Sequence, residues 1–281
     1  MPRRQERPKL GQNFLVSPAA QSAIVDALGD LTHRTVVEIG PGRGAITRLL
    51  DARAHRLIAI ELDRNLAPQL REQFASLPSV QILQQDILST DFAALRRNPI
   101  DANAVDPHQQ PPADKLLVVG NLPYYITTDI LLHLFHFSAE IERAVVMIQR
   151  EVADRLAAQP GTHDYGILSV TTQMYARVEK LMTLPPEAFS PPPQVHSTVL
   201  RLTMAPRFAE LLVPADAFIV FIRSCFAQKR KMLAKNLRNA GYDPATIAAA
   251  LESCGISSQA RAEEVPLDTM SQLFRRLSAE D

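Results

Sequence analysis

The sequence predicts an α/β fold with a mostly parallel sheet, followed by a small all-helical C-terminal domain. In the first half of the chain, short runs rich in Val, Ile and Leu alternate with helical patterns. This alternation is typical of parallel strands joined by crossover helices. From residue 205 onward, apolar residues recur at helical spacing and strand formers are few. We therefore predict one domain over 1–204 and a helical domain over 205–281.

The elements of the first domain can be placed in order along the chain. The apolar runs predict strands at 35–39, 57–60, 80–83, 116–119 and 145–148. Helices are predicted around 46–50 and 151–158, and segments 167–178 and 199–203 are predicted to complete the sheet. Residues 97–115 contain four prolines and no period, so we interpret them as an inserted surface loop.

The composition of the chain limits the classes of protein to which it can belong. Hydrophobic residues make up 46% of the chain, enough for a sizeable core. The 30 basic and 30 acidic residues cancel, so any nucleic-acid surface must come from local clustering. Cys225 and Cys254 lack metal-ligand or disulfide-framework spacing, which argues against a metal site and for a reducing compartment. With no bilayer-length apolar run, no secretory signal and no dimer stripe, we expect a cytoplasmic monomer without a membrane partner.

The sequence Gly-Pro-Gly-Arg-Gly at 40–44 follows the first predicted strand and opens a helix. Glycines let the backbone turn tightly and approach a ligand. The spacing differs from the dinucleotide fingerprint, whose last glycine would fall on Ala45. Taken alone, the segment is compatible with an ordinary strand-to-helix turn as well as with a nucleotide-binding loop.

Acidic residues near the ends of three successive strands favour the ligand-binding interpretation. Glu61 ends the second predicted strand, where a carboxylate can accept the hydroxyls of a ribose. Asp86 follows the third strand and suits the amine of an adenine ring. Glu38 lies within the first strand, where its charge needs a partner such as an ammonium group. Each acid alone would be an ordinary strand end, whereas the set predicts a nucleoside-containing cofactor.

The sequence Asn-Leu-Pro-Tyr at 121–124 is the most specific chemical signal in the chain. The residues of this turn suit methyl transfer to the exocyclic amine of adenine. That amine becomes a better nucleophile when hydrogen-bond acceptors hold its two hydrogens. Asn121 offers a side-chain oxygen and Leu122 its carbonyl, while Pro123 stiffens the turn. Tyr124 offers a ring face for stacking on an extruded base. The alternative is structural: a Pro-containing turn followed by a core tyrosine.

A second aromatic element, at 189–197, contains three consecutive prolines that predict a rigid extended loop. Phe189 at its start is predicted to stack on the other face of the base; the alternative is a linker with a buried phenylalanine. Methyl transfer from a sulfonium donor needs neither a metal nor a strong base. Positioning is therefore expected to supply most of the catalysis.

These motifs together resemble the ribosomal RNA small-subunit adenine dimethyltransferases over nearly the whole chain. The matching segments are 11–15, 37–44, 60–63, 85–86, 121–124, 149–156 and 189–197. The resemblance implies a Rossmann-like methyltransferase sheet of seven strands with a small helical C-terminal domain, and S-adenosyl-L-methionine as cofactor. It implies cofactor contacts at Asn13, Leu15, Gly40, Glu61, Asp86 and Asn121.

The resemblance also implies a substrate. Members of this family dimethylate two adjacent adenosines in the 3′-terminal hairpin loop of 16S ribosomal RNA, within a late pre-30S assembly intermediate. The loop at 97–115 is longer than the family pattern and lies just before the Asn-Leu-Pro-Tyr turn. We interpret it as a surface insertion; the alternative is a segment that contacts RNA.

A cluster of basic residues in the C-terminal domain is the candidate RNA-binding surface. Six basic residues and no acidic ones lie between 223 and 238, namely Arg223, Lys229, Arg230, Lys231, Lys235 and Arg238. The last three recur at i, i+4 and i+7, which predicts one shared helical face. Such a stripe can bind phosphates without reading sequence, or it can be an ordinary solvated face.

Three alternative functions remain open from the sequence. A large-subunit adenine-N6 methyltransferase shares most of these motifs. A ribosome-assembly factor whose binding outweighs its chemistry would keep the same surfaces. A NAD-dependent dehydrogenase is opposed by the glycine spacing and by the Asn-Leu-Pro-Tyr turn.

Overall fold

The computed structural model describes residues 13–97 and 114–278. Within these ranges the strands are β1 (Phe14–Leu15), β2 (Thr35–Ile39), β3 (Arg56–Glu61), β4 (Val80–Gln84), β5 (Leu116–Asn121), β6 (Ile141–Gln149), β7 (Ala176–Leu184), β8 (Phe189–Ser190) and β9 (Ser197–Met204). The helices of the first part of the chain are α1 (Pro18–Asp26), α2 (Ala45–Asp51), α3 (Leu66–Gln73), α4 (Phe92–Arg97), α5 (Thr127–His136), α6 (Arg150–Leu156) and α7 (Ile167–Tyr175). The helices that follow β9 are α8 (Phe208–Leu211), α9 (Ala215–Cys225), α10 (Leu233–Asn239), α11 (Pro244–Ser253) and α12 (Leu267–Leu277).

Seven strands form one sheet in the order β4-β3-β2-β5-β6-β9-β7, and β2 to β6 are joined by parallel ladders. The chain runs outward from β2 through β3 to β4 and then returns to place β5 on the other side of β2. This reversal creates a crevice at the carboxyl ends of β2 and β5, which is where open α/β sheets bind ligands. The Rossmann-like sheet predicted from the sequence is therefore confirmed.

The central strands are apolar almost throughout because helices cover both faces of a parallel sheet. Every residue of β3 is buried, and in β5 every residue except Asn121 is buried. Val36, Leu57 and Leu117 meet in one core cluster with apolar residues of α1 and α2. These strands form a rigid platform, and their carboxyl ends hold the side chains discussed below.

The chain divides into two compact units that differ from the predicted domain boundary. One unit comprises Met1–Arg150 with Lys180–Leu202, and the other comprises Glu151–Glu179 with Thr203–Asp281. The prediction assigned 151–179 to the first domain. The difference arises because Tyr165 and Met174 are fully buried in the same cluster as Phe218 and Phe274. The second unit therefore recruits α7 into the core formed by its C-terminal helices.

The predicted strand at 167–178 is wrong, because most of this segment is α7 and the strand β7 begins only at Ala176. Leu168, Val170 and Met174 are all buried. Ser169 and Thr172 are buried as well, so the segment lacks the one-sided apolar period that distinguishes a helix from a strand. The structure also confirms the remaining predicted strands and the helical character after residue 205.

Most of the predicted loop at 97–115 lies outside the described residues. Arg97 ends α4 at the start of this loop. In the ranges that the structure describes, no helix has the length and apolar character needed to cross a membrane.

Candidate active site

A cavity of about 430 Å³ lies at the carboxyl ends of β2, β3 and β5, and its lining residues all belong to the first unit. The six residues predicted to contact the cofactor line it, namely Asn13, Leu15, Gly40, Glu61, Asp86 and Asn121. Leu122, Pro123 and Tyr124 of the predicted catalytic turn line the same cavity. The sequence motifs thus converge on one place although they are spread over more than a hundred residues.

The glycine turn between β2 and α2 forms one wall of the cavity. Gly40, Gly42 and Gly44 have φ values of +66°, +60° and +77°, a region that side-chain-bearing residues rarely adopt. A Cβ atom on Gly42 would also lie 2.9 Å from the ring of Phe14. The backbone conformation of the turn therefore favours glycine at all three positions. At Gly42 the close approach of the N-terminal strand also favours it.

Glu61 is held at the end of β3 by backbone groups on both of its carboxylate oxygens. The Gly42 amide donates to Oε2 at 3.1 Å and the Asp63 amide donates to Oε1 at 2.9 Å. Burial raises the pKa of Glu61, and these two hydrogen bonds oppose that rise. Each oxygen keeps a further lone pair, so the carboxylate can still accept hydroxyl donors from a ligand.

Among the acidic residues that line the cavity, Glu38 has the most strongly shifted pKa. It is 3% exposed, and its Oε2 accepts a hydrogen bond of 2.7 Å from Thr47. Burial is the main cause that raises the pKa of Glu38 to about 7, and the nearby Glu61 charge adds to it. A cationic ligand group in the cavity would favour the ionised form. Glu38 lines the cavity, in agreement with the position predicted from the sequence, whereas its partner Thr47 on α2 was not predicted.

Asp86 follows β4 and is exposed at the cavity edge. Its Oδ1 accepts from the Leu88 amide at 2.9 Å and so starts the short 3₁₀ turn Ile87–Ser89. No described residue donates a hydrogen bond to Oδ2, which leaves this oxygen for a ligand amine.

Asn121 ends β5 and is oriented by the N-terminal strand. Its Nδ2 donates to the main-chain carbonyl of Asn13 at 2.8 Å. Because the amide is planar, this hydrogen bond also sets the direction of Oδ1. No described residue donates a hydrogen bond to Oδ1, so it is available as an acceptor within the cavity.

Hydrogen bonds to β6 and α5 hold the rest of the Asn-Leu-Pro-Tyr turn. The Leu122 amide donates to the Met147 carbonyl at 3.0 Å, and the Thr127 hydroxyl donates to the Pro123 carbonyl at 2.9 Å. The Tyr124 hydroxyl lies 2.7 Å from the Ser197 hydroxyl. Since both ends of the turn and the tyrosine tip are anchored, the turn presents a defined surface to the cavity.

Phe189 lies elsewhere than predicted. It is 3% exposed, belongs to a core cluster with Leu15, and is absent from the cavity lining. Its backbone pairs with Leu15 where β8 meets β1 in an antiparallel ladder. The predicted aromatic sandwich is therefore not formed in this structure, and the loop instead supports the strand that borders the cavity.

Several cavity residues escaped the sequence analysis. Tyr125 lines the cavity and is 58% exposed, but a tyrosine after the motif carries no distinctive sequence signal. Phe14 stood inside a recognised motif, yet its contact with the Arg43 guanidinium could not be read from spacing. Gln21 donates to the Leu15 carbonyl at 2.8 Å and fixes the strand from α1.

The predicted RNA-binding residues are all exposed on the second unit. Lys235 and Arg238 lie on α10 and Arg223 lies in the last turn of α9. The prediction of a shared helical face is wrong for Lys231, because the turn before α10 contains it and Asn236 holds that turn from below. Lys229 donates to the His163 carbonyl at 2.9 Å.

Comparison with known proteins gives consistent results. The family model described as ribosomal RNA adenine dimethylase matches residues 3–279. The chain is 60% identical over 273 residues to a protein of Acidobacterium capsulatum named ribosomal RNA small subunit methyltransferase A, covering 97% of this chain and 92% of that one.

Two solved structures resemble the fold. The 23S rRNA methyltransferase ErmE superposes with a TM-score of 0.69 at 26% identity, covering 95% of this chain and 100% of that one. A dimethyladenosine transferase from Plasmodium falciparum gives a TM-score of 0.75 at 21% identity, covering 92% and 95%.

Proposed function

The chain belongs to the ribosomal RNA adenine dimethylase family, and we propose that it dimethylates two adjacent adenosines in the 3′-terminal hairpin loop of 16S rRNA. As a member it is an rRNA adenine dimethyltransferase. The assignment to the small subunit is carried by one observation, the 60% identity to a relative named for that subunit. The late pre-30S intermediate is the proposed substrate particle.

The chemistry of the cavity fits S-adenosyl-L-methionine, which supplies an electrophilic methyl group on a sulfonium centre when bound. Glu61 would accept hydrogen bonds from the ribose hydroxyls, and Asp86 Oδ2 would accept one from the adenine amine. The turn at Gly40 would lie against the bound cofactor. The buried carboxylate of Glu38 has no cationic partner among the described residues, so it suits the amino acid end of the cofactor. Asn13 and Leu15 would cover the ligand from the N-terminal strand.

Asn121 and Leu122 are proposed to activate the acceptor amine. The Oδ1 of Asn121 and the carbonyl of Leu122 would accept its two N–H hydrogens and draw the nitrogen toward tetrahedral geometry. The ring of Tyr124 would stack on the extruded base, with Pro123 keeping the turn rigid. The nitrogen is cationic after the attack and loses its proton to water, so no strong base is required. Catalysis is then a matter of orientation.

The exposed basic residues of the second unit are proposed to bind RNA phosphates. Such contacts set orientation and affinity and carry no sequence information. Binding through them should weaken steeply with salt, by a slope of about 0.7 to 0.9 per phosphate contact. Charge reversal at Lys235 and Arg238 together should therefore flatten the salt dependence of RNA binding and leave cofactor affinity unchanged.

Two alternatives keep specific support. The large-subunit activity is favoured by the similarity to ErmE, although the identity is only 26%. A role in subunit assembly is compatible with the enzyme activity, since both use the same RNA surface.

The experiment uses methyl-labelled S-adenosylmethionine with under-methylated 30S particles and, in parallel, 50S particles. Label on two adjacent adenosines near the 3′ end of 16S rRNA would support the proposal. Label in 50S particles alone would transfer the assignment to the large subunit. Absence of label from both, with cofactor still bound, would overturn the proposed substrate.

A further inference from the structure

The N-terminal strand β1 borders the cavity, and main-chain hydrogen bonds hold it from Phe14 onward. It pairs with β8 at Phe14 and Leu15, and the Val16 amide donates to the Ala188 carbonyl at 2.8 Å. Gln21 adds a side-chain hydrogen bond to the Leu15 carbonyl. These contacts anchor the distal end of the strand but leave the Asn13 end to be fixed by other groups.

The Asn13 end reaches the proposed catalytic turn. The carbonyl of Asn13 accepts the hydrogen bond from Asn121 Nδ2 at 2.8 Å. Any displacement of this carbonyl would rotate the amide of Asn121 and misdirect Oδ1. The orientation of Asn121 therefore depends on where the strand lies.

The same strand end also touches the glycine turn. The guanidinium carbon of Arg43 lies 4.6 Å from the centroid of the Phe14 ring. Arg43 is exposed, forms no ion pair with a described residue, and stacks on this aromatic face. The ring edge comes close to Gly42, where an added Cβ would lie 2.9 Å away. Gly42 in turn donates its amide to Glu61.

We propose that Arg43 and Phe14 form a clasp that positions Asn121 for methyl transfer. Arg43 stacks on one face of Phe14 and, with the close approach at Gly42, fixes the strand so that the Asn13 carbonyl meets the Asn121 amide. Arg43 is a positioning residue, because it acts through Phe14 and Asn13 and not on the acceptor. This inference rests on the role of Asn121 in the proposed function.

The clasp predicts a loss of rate that exceeds the loss of cofactor affinity. Glu61 and Asp86 hold their positions through backbone contacts that do not involve Arg43. A cation stacked on an aromatic ring at an exposed site contributes enough for about a two- to fivefold effect. Arg43→Ala should therefore lower the single-turnover rate of methylation by about that factor, while the dissociation constant of S-adenosylmethionine changes by a smaller factor.

The experiment compares Arg43→Ala, Arg43→Lys, Phe14→Leu and the Arg43→Ala/Phe14→Leu double variant in the full chain. Single-turnover methylation of 30S particles gives the rate, and calorimetric titration gives cofactor affinity. Arg43→Lys should recover part of the rate, since an ammonium also binds an aromatic face. The double variant should be no slower than the slower single variant, because two residues of one clasp are not additive.

Arg53→Ala is the matched control. It removes an exposed arginine just beyond α2, where Arg53 pairs with Asp26 and lies outside the cavity. Its rate should equal that of the wild type. Equal unfolding midpoints for all variants would show that a lower rate does not come from loss of fold.

Three outcomes would overturn the clasp. These are an unchanged rate in Arg43→Ala, rate losses that add in the double variant, and a loss of cofactor affinity that fully accounts for the loss of rate. Asn121→Ala is measured alongside. An inactive Asn121→Ala with an unaffected Arg43→Ala rejects the clasp alone, whereas a fully active Asn121→Ala rejects the role of Asn121 on which the clasp rests.

Discussion

Replacing Glu38 with Gln should stabilise the cofactor-free protein at neutral and alkaline pH. Glu38 is 3% exposed, and its carboxylate accepts a hydrogen bond from the Thr47 hydroxyl. Burial raises the pKa of Glu38 from 4.5 to about 7. A glutamine has the same shape, can accept the same hydroxyl, and carries no charge that would need solvation.

The sign and size of this change in the free energy of unfolding follow from the difference in the pKa of Glu38 between the folded and the unfolded chain. Below pH 4.5 the carboxyl is protonated in both the folded and unfolded chains and contributes nothing to the pH dependence. Between pH 4.5 and about 7 the unfolded chain has lost the proton that the folded protein keeps, so stability falls as the pH rises. At 1.36 kcal/mol per pKa unit, the fall amounts to about 3 kcal/mol and is complete just above pH 7.

The assay is denaturant unfolding of the wild type and Glu38→Gln, free of cofactor, from pH 5 to pH 8. The two proteins should have similar stability near pH 5, and the variant should be more stable by about 3 kcal/mol at pH 8. Burial also raises the pKa of Glu61, and that effect is common to both proteins. The repulsion between Glu61 and Glu38 is lost in the variant, and it is already part of the Glu38 shift from which the difference is worked. Parallel pH profiles would refute the reasoning. The variant should also bind S-adenosylmethionine more weakly, since a cationic ligand loses its carboxylate partner.

Four further substitutions, at three positions, test other parts of the structure. Gly120→Ala would place a Cβ 2.7 Å from the Ile39 carbonyl oxygen, so thermal unfolding should show a loss of about 1 to 3 kcal/mol together with reduced methylation. Tyr124→Phe loses only the hydrogen bond to Ser197, about 1 kcal/mol, whereas Tyr124→Ala also loses base stacking and should raise the KM for RNA much further. Asn236→Leu removes the amide that holds the carbonyls of Cys225 and Gln228 beneath the basic turn; it should weaken RNA binding and lower stability by about 1 to 3 kcal/mol without changing cofactor affinity. Equal RNA affinity in Asn236→Leu would show that the geometry of this turn does not matter for binding.

The parallel sheet could be predicted from the sequence because buried parallel strands have an unusually simple signature. The runs at β2, β3 and β5 are short, continuous and rich in branched residues, and each is followed by a turn or an acidic residue. Their carboxyl ends meet in space whatever the details of packing. The convergence of Glu61, Asp86 and Asn121 on one cavity followed from that geometry alone.

The failures share a physical cause, since each depended on tertiary packing. The helix α7 was predicted as a strand because its polar residues Ser169 and Thr172 are buried along with its apolar ones, which obscures the helical period. Lys231 fits a helical spacing, but the helix begins only at Leu233. Phe189 was placed by its type and position, whereas its burial depends on the pairing of β8 with β1.

The contact that orients Asn121 could not have been found from the sequence. It uses the main-chain carbonyl of Asn13, and every residue type carries the same carbonyl. The Arg43–Phe14 contact involves residues close in the fold but 29 positions apart in the chain, with no periodic relation between them. Interactions of this kind become visible only when the backbone is placed.

The central claim is that Asn121 orients the adenine amine in a cavity that separately binds the cofactor. The most direct measurement is methylation of 30S particles by Asn121→Ala at saturating S-adenosylmethionine, with nucleoside analysis of the product and calorimetric titration of the cofactor. The account predicts that the variant still binds the cofactor, through Glu61 and Asp86, while N6,N6-dimethyladenosine is no longer formed. Dimethylation at the wild-type rate by this variant would contradict it.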